Sequence, residues 1–164
     1  MALTEEALSR IQKRAEHLIE DAKSLHLSNI AKSIEQQEGC QIFMVPLDEA
    51  ASELKSTRWV ATCQSYIRIT RDTADTSSKK SEIVPICHHF IFYKTCPEDI
   101  EVERLRVAHC LAHCALHWPL GPRKKRLVNA SFQGVDVYMV RFLPAEEEEA
   151  NALASLLTAY QPPL

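Results

Sequence analysis

Residues Glu103 to Trp118 read E-R-L-R-V-A-H-C-L-A-H-C-A-L-H-W, and no other stretch constrains the chain as strongly. His109, His113 and His117 recur every four residues, and at about 100° per residue on a helix that spacing sets three imidazoles on one stripe. Two histidines at i and i+4 are the arrangement that grips one zinc ion. A metalloprotease helix of this kind reads H-E-x-x-H, with the glutamate as general base, whereas here Cys110 stands in the glutamate's place. The stripe therefore offers a metal grip without the usual catalyst. Cys110 and Cys114 each lie about 100° round from the preceding histidine, which predicts a polar helix side carrying nitrogen and sulfur ligands together.

Alone, H-x-x-x-H is a weak signal, because most such pairs bind nothing and a zinc site needs three or four ligands. A second, acidic element has to supply the rest, and Glu146 to Glu149 is the nearest candidate. Ala150, Leu153, Ala154 and Leu157 define the buried stripe of a last helix opened by Pro144. Glu146 and Glu147 lie over that stripe, at i−4 and i−3 from Ala150, while Glu148 and Glu149 are expected to face water. Without the histidines the same run reads as a solvated helix start matched to the dipole.

The remaining chain supplies a scaffold for one domain spanning 1–164, since 164 residues with 46% hydrophobic content can build a core without staples. Thr4 with Glu5 and Glu6 predicts an N-cap, followed by an amphipathic helix on Leu8, Ile11, Ala15, Leu18, Ala22 and Leu25. Ser28 is expected to cap a second helix carrying Ile30, Ala31 and Ile34, with Gly39 as its left-handed C-terminal cap. Together these make an N-terminal helical part over 1–39, and the sheet and metal-site helices occupy 40–164. Residues 40–45 read as a short buried strand; the alternation from Trp59 to Thr70 and the apolar run from Ile83 to Tyr93 read as two more. Between the last two, Arg71 to Glu82 reads as a mobile loop. His88 and His89 must point to opposite faces of their strand, and neither joins the metal ligands. Pro97 suits a first helical position, so the histidine helix is expected over about 97–117, ended by Trp118 and Pro119. Leu127 to Leu143 holds strand pieces around a turn at S-F-Q-G-V-D.

Composition excludes several function classes. A net charge of −3 leaves no general nucleic-acid footprint, and the locally basic run Arg123 to Arg126 reads as solvated surface. No run is apolar enough for a membrane span or a signal peptide, which predicts a cytoplasmic protein whose six cysteines are reduced thiols.

The two motifs together resemble the ImmA/IrrE family of zinc metallopeptidases, cytoplasmic minimal zincins that typically act on helix-turn-helix repressors. That family shows R-x-R-F-T-x-A-H-E-L-G-H-x-x-x-H on one helix and E-x-x-A-N-x-F-A-x-x-L-L on a later one. Arg104, Arg106, Ala108, His109, Leu111, His113 and His117 fall in register with the first motif, and Glu147, Ala150, Asn151, Ala154 and Leu157 with the second. The resemblance covers about half the chain, from residue 83 onward. It implies an α+β, minimal zincin-like fold with helices packed on a small mixed β-sheet. It also implies a zinc ion held by His109, His113 and Glu147, with Glu146 as the nearest substitute and His117 structural rather than ligating. The departures are Cys110 for the catalytic glutamate, Ala112 for the glycine and Leu153 for the phenylalanine.

A zinc hydrolase needs a carboxylate to take a proton from the water and pass it on, and losing a positioned base removes on the order of 10²–10⁴ in rate. The expected function is therefore a catalytically degenerate, zinc-binding regulatory protein whose partner is a helix-turn-helix repressor. The alternative is an active zinc endopeptidase drawing its base from Glu146 to Glu149 or a loop. A nucleophilic role for Cys110 or Cys114 is disfavoured by a mid-helix position. On this reading, Cys110→Glu is expected to create peptidase activity.

Overall fold

The computed structural model describes residues 2–24, 26–46, 63–71, 85–93, 95–117, 127–132 and 135–159. Thr4 accepts a hydrogen bond from the backbone N of Ala7 at 3.2 Å and opens helix α1 (Glu5–Ala22), with Glu5 and Glu6 at the positive end of its dipole. The buried stripe of α1 is Ile11, Ala15 and Leu18; Leu8, in the first turn, is exposed rather than part of it. Helix α2 (Leu27–Glu38) starts at His26 and not at Ser28, which lies inside the first turn. The backbone N of His26 donates to the Ser24 hydroxyl, so the connection before α2 is closed by Ser24. Gly39, at φ +63°, ends α2 in the left-handed conformation that its lack of a Cβ permits.

Strand β1 (Cys40–Pro46) follows directly, then β2 (Cys63–Arg71) and β3 (Pro85–Tyr93). Residues 59–62 of the expected second strand, and 72–82 of the expected loop, lie outside the described residues, as do Trp118, Pro119 and the basic run at 123–126. Helix α3 (Ile100–Leu116) carries the histidines. It begins later than Pro97 suggests. The backbone N of Asp99 bonds to the carbonyl of Cys96, so Pro97 occupies a tight turn, where its fixed φ is equally at home, and Asp99 becomes the N-cap by accepting from Val102 N at 3.2 Å. Glu103 reaches back to the backbone N of Cys96 at 2.8 Å and ties the turn to the helix.

Strands β4 (Leu127–Phe132) and β5 (Val135–Val140) form an antiparallel pair in which Phe132 faces Val135, and helix α4 (Pro144–Ala159) ends the described chain. The five strands make one mixed sheet in the order β1-β3-β2-β5-β4, parallel only between β1 and β3. The architecture is thus α+β. Helix α2 packs on β1, and α3 packs on β2 and β3. Helix α4 lies against α3 and α1 on the helical side. Ile11, Leu18, Ile30, Ile34, Ile91, Leu111, Leu153 and Leu157 are fully buried where these elements meet. Each such side chain contributes about 1.5–3 kcal/mol relative to exposure, which fixes the crossing of α3 and α4 on which the site depends. Among the described residues, no helix is long and apolar enough to cross a membrane.

Candidate metal centre

Helix α3 is apolar on most of its circumference, with Val107, Ala108, Leu111, Ala112 and Ala115 all buried. The histidine stripe is therefore not a wet face; it is the seam along which α3 meets the start of α4. His113 and His117 are buried, at 5% and 3% exposure, and only His109 is partly open. The cysteines fall elsewhere. Cys110 and Cys114, at 2% and 1% exposure, sit in the hydrophobic core, which corrects the expectation of a polar side offering nitrogen and sulfur together. On a helix buried nearly all round, a rotation of about 100° from a histidine leads into the core as readily as towards solvent.

The first turn of α4 brings Glu147 onto this seam. Its Oε2 lies 3.0 Å from Nε2 of His109 and 3.3 Å from Nε2 of His113, and the two Nε2 atoms are 3.2 Å apart. Among the described residues, His109, His113 and Glu147 are the group whose ligand atoms converge well enough to hold a metal ion. Glu146 is not in that group. Its Oε2 accepts from the backbone N of Leu143 at 2.8 Å and closes the N-terminus of α4. Glu149 behaves unlike the expected solvent-facing residue. It turns inward, accepting from His117 Nε2 at 2.9 Å and from Arg10 of α1 at 2.6 Å, and at 18% side-chain exposure it is less open than Glu147 at 44%.

The donor atoms can be tested for fit. Two atoms each about 2.0–2.1 Å from a tetrahedral ion stand about 3.3–3.4 Å apart, so a triangle with edges of 3.0, 3.2 and 3.3 Å closely matches one face of a zinc coordination tetrahedron. Protonation is also suited. Nδ1 of His109 lies 2.8 Å from Oδ1 of Asn151, and a ring donating there leaves its lone pair on Nε2, the atom facing Glu147. Burial first of all pushes the pKa of His113 down to about 4, so the ring is neutral at pH 7, as a ligand must be. The hydrogen-bonding contact with His113 holds Glu147 below the usual carboxylate range, so it is ionised. A divalent cation placed among the three atoms satisfies all of them at once.

Phe142 closes one side. Its ring stacks on His113 with centroids 3.7 Å apart and planes at 13°, and it tilts against His117 at 5.4 Å. The exposed edge of His109 and Glu147 forms the other side, where a fourth ligand would enter from solvent. The helical spacing pointed to the three histidines and to Glu146 or Glu147, and of these His109, His113 and Glu147 converge. It missed Asn151, Glu149, Arg10 and Phe142 as supports of the site. Asn151 was visible as the residue four after Glu147 on the same helix, but Arg10 carries no local signal, because its approach depends on α1 crossing α4. No family model, curated protein or solved structure matches the chain.

Proposed function

We propose that this protein is a zinc-binding, catalytically degenerate zincin-like regulator, resembling the ImmA/IrrE metallopeptidases, that binds a helix-turn-helix repressor as its partner. The observation that carries the reading is the convergence of two imidazole nitrogens and one carboxylate oxygen within 3.3 Å of one another, two of them on α3 and one on α4. Zinc held by two imidazoles and a carboxylate would supply Lewis acidity and acidify a bound water. His109, His113 and Glu147 would hold the ion, Glu147 would balance part of its charge, and Asn151 holds the His109 ring.

Among the described residues, the groups that could move the proton are engaged elsewhere. Cys110, at the position of the family's general base, is buried in the core. Glu146 is engaged as a helix cap, and Glu149 is engaged by His117 and Arg10. These engagements favour a binding protein over an endopeptidase that would borrow its base from the glutamate run.

The reading is tested with tag-free protein. Elemental analysis is expected to show about one zinc per chain, and incubation with a helix-turn-helix repressor is expected to give a complex without cleavage. Protein that takes up no zinc from a buffered micromolar supply overturns the metal reading. Cleavage abolished by a chelator overturns the degenerate one.

A further inference from the structure

Behind the three converging atoms a second row of groups runs from the metal centre to the N-terminal helix. Nδ1 of His113 lies 2.9 Å from Nδ1 of His117, Nε2 of His117 lies 2.9 Å from Oε2 of Glu149, and Oε1 of Glu149 lies 2.6 Å from the guanidinium of Arg10. The roles along this row depend on one another. An ionised carboxylate only accepts, so the His117 nitrogen facing Glu149 carries a proton. With that proton on Nε2, the His117 ring can accept from His113 through Nδ1, 2.9 Å away. His113 then donates through Nδ1 and keeps its own lone pair on Nε2, the atom that converges with His109 and Glu147.

We infer that Glu149 and His117 form a positioning relay which sets the tautomer of His113 and so presents its Nε2 lone pair to the metal. This rests on the zinc-site reading above and extends it. Neither residue touches the ion. Asn151 does for His109 in one step what His117 and Glu149 do for His113 in two, so both imidazoles are preset by α4. The relay also explains why a histidine outside the converging group is nine-tenths buried at the end of α3: a hydrophobic residue there would fill the space but leave the Nδ1 proton of His113 without an acceptor.

The experiment uses the full chain with ¹⁵N-labelled histidine. Long-range ¹H–¹⁵N spectra of the metal-free protein at neutral pH are expected to show His113 protonated on Nδ1 and His117 protonated on Nε2 alone. His113 protonated on Nε2, or His117 protonated on both nitrogens, overturns the relay. In parallel, zinc affinity is measured by competition with a chromophoric chelator for His117→Phe and His117→Asn. The phenylalanine fills the space without an acceptor and is expected to weaken zinc binding 10–100-fold, the usual cost of losing an outer partner. The asparagine sets an oxygen near the former Nδ1 and is expected to restore most of that loss. Equal affinities for the two variants would mean that His117 acts by packing alone and would also overturn the proposal. If the wild-type protein takes up no zinc, the zinc reading fails by itself, and the tautomers of the metal-free protein still decide whether the relay exists.

Discussion

Nε2 of His109 stands 3.0 Å from Oε2 of Glu147, although the two residues lie on helices separated in the chain by the β4–β5 hairpin. An imidazole lone pair and a carboxylate oxygen are both acceptors and approach this closely only around a shared proton or cation. His109→Ala and His113→Ala should each therefore reduce zinc content well beyond the roughly 10–100-fold affinity loss typical of an outer partner. Asn151→Ala, which frees the His109 ring without removing it, should fall within that range. Zinc stoichiometry and chelator competition on tag-free protein read both, and unchanged zinc in His109→Ala would show that the ion is held elsewhere.

Adjacent glutamates separate by function. Glu147 faces the histidines, while Glu146 closes the first turn of α4 through Leu143 N. Glu147→Gln should lose zinc with little change in the stability of the metal-free protein. Glu146→Ala should keep zinc and lose about 1 kcal/mol, as a helix cap does. Denaturant titration beside metal analysis distinguishes the two, and the reverse pattern would assign Glu146 as the ligand.

The parts of this site that were legible in the sequence are those fixed by local helical geometry. His109 and His113 share a face because they are one turn apart, and Glu147 lies over the stripe that Ala150 and Leu153 bury. The elements α1, α2, β1 and β3 were legible for the same reason, since their apolar patterns are local, whereas the α+β class came with the resemblance. The role of Glu149 was not legible, because a solvated and a buried glutamate at a helix start look alike until α1 is known to pass beside it with Arg10. The cysteines were misplaced because α3 has small and apolar residues on nearly every side, so no wheel distinguishes its core face from its seam. The start of α3 was misplaced because proline suits a turn and a first helical position equally well, and Asp99 decided between them.

Acid should weaken the metal-free fold through His113. Its folded-state pKa, pushed by burial to about 4, lies below the unfolded value of about 6.5, so the unfolded chain binds the proton more readily. The stability at stake is fully present above about pH 6.5, falls as the pH drops towards 4, and is level below that. At 1.36 kcal/mol per unit the full loss is on the order of 3 kcal/mol. Urea midpoints between pH 8 and 4, measured with chelator present, should follow this slope, and His113→Gln should flatten it. A slope unchanged by that substitution would place the acid sensitivity in another group.

Placing a glutamate at position 110 should fail to create a peptidase, for a reason that lies in packing. Read from the motif alone, Cys110→Glu completes H-E-x-x-H and is expected to create a peptidase. The structure places Cys110 at 2% exposure in the hydrophobic core. A carboxylate there has either to remain neutral or to be buried charged, and both cost several kcal/mol without a partner. In a chain of this size that lowers the melting temperature by about 10 °C or more. Cys110→Ala, which removes only the sulfur, should cost about 1 kcal/mol and leave zinc content unchanged. Thermal melts of the two variants, with a cleavage assay on a repressor substrate, provide the check. A Cys110→Glu protein that melts with the wild type and cleaves would place this side chain at the metal, and the chain would then be one substitution from an enzyme rather than committed to binding.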